Sequence, residues 1–137
     1  PMPSLHHAMV QSNLCYLFRK LGFQAPSELA LEIGGRRYIP DLCIYPNRTI
    51  NWDKDTITET TMPLVTIEIM SPKQGSYELM EHVEAYLDAG VKSAWIVAPS
   101  FRSVYIYSKE QPLQSFTHGV VVDAVTGLRA DLAEVFC

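Results

Sequence analysis

The run Leu64-Val65-Thr66-Ile67-Glu68-Ile69 constrains this chain more than any other segment, because it is β-branched and apolar on both alternating faces except at Thr66 and Glu68. A strand of that kind has to be covered on both sides, which places it in the middle of a sheet. Glu68 then enters apolar surroundings. A carboxylate taken there must be neutralised, hydrogen-bonded or bound to a cation.

The elements around this strand follow from periodicity and turn chemistry. Val10, Leu14, Leu17, Phe18 and Leu21 mark one face of a helix running from about Ser4, a suitable N-cap, to Leu21, with Gly22 placed to end it. Glu28 to Ile33 alternates acidic and apolar residues, Gly34-Gly35 can supply the positive φ angles of a two-residue turn, and Arg36 to Ile39 returns as the second arm of a hairpin ending at Pro40. A short strand is expected at Asp41 to Tyr45, then a long polar loop from Pro46 to Thr61. A second helix spans about Ser76 to Ala89, with Leu79, Met80, Val83, Tyr86 and Leu87 on one side and Gly90 as its stop. Strands at Ser93 to Ala98 and Ser103 to Ser108 follow, with further strand-like runs around Phe116 and Val120-Val121-Val122. The order α, β-hairpin, β, β, α, β, β implies an α/β fold, a sheet layered with helices.

Composition narrows the class of protein. A chain of 137 residues with 47% hydrophobic and 19% charged content is expected to form one globular domain, residues 1–137. No apolar run approaches the ~20 residues needed to cross a bilayer, and Pro1-Met2-Pro3-Ser4 lacks the basic-then-apolar order of a signal peptide, so a cytoplasmic location is expected. Cys15, Cys43 and Cys137 are an odd number at wide spacing, which points to free thiols in a reducing compartment. The net charge of −4 argues against a basic footprint over the whole domain, although local clusters stand at Arg19-Lys20, Arg36-Arg37 and the stretch holding Lys92, Arg102 and Lys109.

The sharpest chemical feature is a pair of acidic residues at strand positions. Asp41 follows Pro40 at a strand start, and Glu68 lies near the end of the apolar strand. Two carboxylates converging there suggest a hard-metal site for Mg2+ or Mn2+. From spacing alone the alternatives stay open: Asp41 bonding to turn amides after the hairpin, and Glu68 pairing with Arg36 or Arg37 across the sheet.

The segments Arg37-Tyr38-Ile39-Pro40-Asp41-Leu42, Leu64 to Pro72 (LVTIEIMSP), Tyr86-Leu87-Asp88-Ala89-Gly90-Val91 and Ala94-Trp95-Ile96-Val97-Ala98-Pro99, in this order and spacing, closely resemble the restriction-endonuclease-like family abundant in cyanobacteria. The similarity runs from the first helix to the closing Ala130 to Phe136. It implies a PD-(D/E)xK core, a central mixed β-sheet flanked by helices, in which Asp41 and Glu68 hold a divalent metal for phosphodiester hydrolysis in DNA. It also implies a homodimer, since nucleases of this superfamily often pair two sites on two strands.

Two positions depart from that pattern. The superfamily's lysine lies two residues after the glutamate, where this chain has Met70; members of the family commonly carry a lysine one turn before the helix tyrosine, where this chain has His82. On a helical wheel His82 lies about 100° from the centre of the apolar stripe, so it can point toward a site at the sheet edge or toward water. Lys73, after Ser71-Pro72, is another candidate cation. His7 and Gln11 on the first helix and Glu32 on the hairpin are further candidates, while Trp95 and Tyr86 read as core aromatics. Two functions therefore compete: a Mg2+-dependent endonuclease with Asp41, Glu68, His82 and Lys73 as its catalytic residues, and a degenerate member that binds nucleic acid or protein without catalysis.

Overall fold

The structure, a computed structural model, describes residues 4–72 and 75–137. Lys73 lies outside the described residues. Helix α1 spans Leu5–Lys20 and begins as the sequence implies, with the Ser4 hydroxyl accepting the His7 amide at 3.2 Å. Val10, Leu14, Leu17 and Phe18 form its buried face, whereas Leu21, the last residue of the expected stripe, is the C-cap and is exposed. Gly22 follows at φ +94°, a conformation in which a side chain would be strained.

Strands β1 (Leu31–Ile33) and β2 (Arg36–Tyr38) form the hairpin, in which Ile33 faces Arg36, Glu32 faces Arg37 and Leu31 faces Tyr38. Strand β3 (Leu42–Ile44) opens the main sheet, followed by β4 (Val65–Ile69), β5 (Ser93–Ala98), β6 (Ser103–Tyr107) and β7 (Gln114–Phe116), hydrogen-bonded in that order. Among the described residues of this sheet, β4 and β5 pair in parallel and the other neighbours are antiparallel. Parallel neighbours need a crossover, and α2 (Ser76–Asp88) supplies it. A second two-stranded unit, β8 (Val120–Val122) with β9 (Arg129–Asp131), leads into the short helix α3 (Leu132–Val135), which packs on α1. The sequence reading did not separate β9 and α3. The fold is α/β, a mixed five-stranded sheet with helices on its faces.

Every residue of β4 is buried, as its composition requires. Alternation then sorts its side chains. Val65, Ile67 and Ile69 join Val10, Leu14 and Phe18 of α1 and Trp95 of β5 in one apolar layer, where the Phe18 and Trp95 rings meet edge-on at 5.5 Å. Such residues contribute about 1.5–3 kcal/mol each by burial. Glu68, two residues before Met70 and offset by one from Ile67 and Ile69, faces the other layer, toward α2.

The expected 46–61 loop is present but tethered. Arg48 stacks on the Tyr45 ring at 3.8 Å and pairs with Glu59 at 3.2 Å, and Glu59 exchanges backbone hydrogen bonds with Ala30 and Glu32. Trp52 projects from it almost fully exposed. The three cysteines are free. Cys43 is fully buried, and that burial, with the charge of Glu68, pushes its thiol up to about 12. A thiol-specific alkylating reagent at neutral pH should therefore label exposed Cys137 in the native protein and reach Cys43 only after unfolding, as peptide mass spectrometry would read out. Rapid native labelling of Cys43 would contradict this packing. Among the described residues no helix is long and apolar enough to cross a membrane.

Candidate metal and catalytic site

Asp41 lies immediately before β3, and the antiparallel β3–β4 register brings it beside the far end of β4. Its Oδ2 accepts the Ile69 amide at 2.7 Å, so this carboxylate is pinned across the sheet, not to a local turn. Its Oδ1 lies 3.2 Å from His7 Nε2. Gln11, one turn further along α1, donates to the Asp41 carbonyl at 3.2 Å and reaches Glu28 at 3.4 Å. Glu28 itself holds a left-handed backbone, φ +54°, and its amide donates to the same Asp41 carbonyl. His7 and Gln11 thus converge on Asp41, one on the carboxylate and one on the main chain. Nothing in the sequence beyond their helical spacing announces this.

Glu68 is seated from the α2 side. The Tyr86 hydroxyl donates to its Oε2 at 2.7 Å, and His82 Nδ1 stands 3.5 Å from the same oxygen. That second approach is at the outer limit of a hydrogen bond, and Nδ1 is buried without a well-aligned partner. The Tyr38 ring packs edge-on to His82 at 5.5 Å and to Tyr86 at 5.8 Å, which closes the apolar wall behind the carboxylate. Neither Arg36 nor Arg37 pairs with Glu68. His82 therefore faces the site, not open water.

The electrostatics follow from this crowding. Burial raises the Asp41 carboxyl above the usual aspartate range; the Ile69 amide opposes this, the Glu68 charge adds to it, and His7 opposes it again. Burial wins because the amide and the imidazole offset only part of the lost hydration. Contact with Glu68 raises His82, against the desolvation of the ring. Burial, then the charge of Glu68, pushes the Tyr86 hydroxyl far upward, so it remains a donor. Among the described residues no lysine or arginine forms an ion pair with Asp41 or Glu68.

The remaining candidates separate cleanly. Met70 follows Glu68 on the same face and packs, half-buried, against the Leu79, Val83, Ala94 and Ile96 cluster, so this position supplies apolar packing and no charge. Glu32 is exposed on the hairpin opposite Arg37 and bonds to neither carboxylate. Trp95 is core, with its indole N–H donating to buried Asp123 at 2.8 Å. No sequence expectation covers Asp123. A groove of about 560 Å3 runs between the hairpin and α2, reaching Arg36 and Tyr38. Another, of about 660 Å3, lies under the tethered loop beside Trp52. Asp41 and Glu68 line neither.

This sheet order, with α1 and α2 on its two faces, is that of a restriction-endonuclease-like domain. A crystal structure described as a "putative nuclease belonging to DUF820", from Anabaena variabilis, superposes with a TM-score of 0.84 over 99% of this chain and 83% of the other, at 20% identity. Residues 1–133 match the family Uma2, described as "Putative restriction endonuclease", and the chain belongs to that family. It is a nuclease-like protein. No curated protein matches it.

Proposed function

We propose that this protein is a divalent-metal-dependent nuclease hydrolysing phosphodiester bonds in DNA, with Asp41 and Glu68 as the carboxylates that hold Mg2+ or Mn2+. The observation that carries this reading is the pair itself: two carboxylates drawn to one sheet end, one raised by burial and by the charge of the other, with no ion-paired lysine or arginine among the described residues. A cation offsets that repulsion. Among the described residues no three His, Cys, Asp or Glu side chains form a closed cage. Mg2+ does not require one, since it commonly takes one or two carboxylates and completes its shell with water and substrate phosphate. The donor set therefore fits.

When bound, such an ion lowers the pKa of an attacking water and offsets charge on the phosphate oxygens. The chain's own residues do the positioning. The Ile69 amide and His7 orient Asp41, and Tyr86 holds one oxygen of Glu68 while the other makes no hydrogen bond among the described residues. His82, held against Glu68, is the candidate donor to a phosphate oxygen.

A non-catalytic nucleic-acid- or protein-binding module is the second reading, and the apolar packing of Met70 favours it. Calorimetric titration of Mn2+ into wild type and Asp41→Asn separates the two. Loss of at least about 10²-fold in affinity in the variant, together with Mg2+-dependent DNA cleavage by wild type, is the expected result. Absence of both binding and cleavage in wild type would move the assignment to the binding module.

A further inference from the structure

We infer that Arg36, at the groove between the β1–β2 hairpin and α2, binds a backbone phosphate of the DNA flanking the reacting one. This rests on the nuclease reading above and names the subsite that reading lacks. The first ground is register. Strand alternation puts Arg36 and Tyr38 on one face and Arg37 on the other, and Tyr38 turns inward to pack on His82 and Tyr86. Of two adjacent arginines that look equivalent in sequence, only Arg36 is on the side of the site.

The second ground is geometry. The Arg36 guanidinium lies over the Tyr38 ring at 5.1 Å, which holds it at the groove without consuming its hydrogen-bond donors. Among the described residues it forms no ion pair. Two carboxylates also line the groove: Asp88, held by Lys109 at 2.8 Å, and Glu32 on the hairpin. Asp88 ends α2, beyond His82 and Tyr86.

The third ground is charge. A domain of net charge −4 has little long-range attraction for DNA, so a short-range, pre-positioned guanidinium decides where the backbone lies. A planar fork of donors suits a phosphate better than a point charge does.

The test is the salt dependence of binding to a labelled DNA duplex in Ca2+, read by fluorescence anisotropy for wild type, Arg36→Ala, Arg36→Lys and Arg37→Ala, with folding of each checked by thermal melting. Arg36→Ala is expected to bind more weakly and to flatten the slope of log affinity against log salt by about one, the share of one phosphate contact. Arg36→Lys should retain the slope, and Arg37→Ala, which removes the same charge from the opposite face, should leave it unchanged. Equal losses in Arg36→Ala and Arg37→Ala, an unchanged slope in Arg36→Ala, or no binding by wild type would each overturn the inference. Cleavage in Mg2+ is scored separately: wild type that binds through Arg36 without cleaving would refute the catalytic reading and leave the subsite standing.

Discussion

Glu68→Gln is expected to lower metal-dependent cleavage on the order of 10²- to 10³-fold, the range for losing one preorganised electrostatic contact at a reacting centre, while leaving the metal-free protein at least as stable as wild type. The two halves of that expectation have one cause. Glu68 is a carboxylate within a fully buried strand, and glutamine keeps an oxygen for the Tyr86 hydroxyl while removing the charge. A site that stabilised the fold would behave in the opposite way. Rates should be taken with plasmid DNA in Mg2+ and Mn2+, and melting followed in chelator. Cleavage near the wild-type rate would remove Glu68 from the metal centre. A melting temperature lowered by more than about 5 °C would instead make it a structural residue.

Asp123→Ala should have the largest effect on stability, about 3–5 kcal/mol, and lower the melting temperature by roughly 10 °C or more. Asp123 is almost completely buried and accepts four hydrogen bonds: from the Ser93 hydroxyl at 3.0 Å, the Trp95 indole at 2.8 Å, and the Val125 and Thr126 amides at 2.8 and 3.1 Å. Alanine leaves two side-chain donors of β5 and two amides of the turn without a partner, in a space closed to water. The same carboxylate ties the β8–β9 unit to the main sheet, so its loss loosens α3 and α1 as well as the turn. Chemical denaturation of wild type and variant measures the difference. A midpoint unchanged within error would mean that water enters and replaces the carboxylate.

Legibility in the sequence differed by the range of the interaction. Helix α1, its Ser4 cap and the Gly22 stop are local, because they depend on residues within a turn of one another, and they lie where periodicity and capping put them. The Gly34-Gly35 hairpin and the buried β4 strand were equally readable. Boundaries were less so: the hairpin strands are shorter than their alternating pattern, and Leu21 leaves the buried stripe where the helix ends. The strand β9 and helix α3 were missed because three or four residues of either type carry too little period to recognise.

The site divides in the same way. The sequence by itself determined that an aspartate precedes one strand and a glutamate lies within another in an α/β nuclease-like fold, that Met70 stands two residues after Glu68, and that His82 lies one helical turn before Tyr86. Only the tertiary structure decided what these groups touch: the Ile69 amide on Asp41, His7 and Gln11 arriving from α1, His82 turned to Glu68, and Arg36 rather than Arg37 beside them. The physical reason is that periodicity fixes which face of an element a side chain occupies but not which element meets that face. A contact between residues far apart in the chain exists only once packing has set the register between layers.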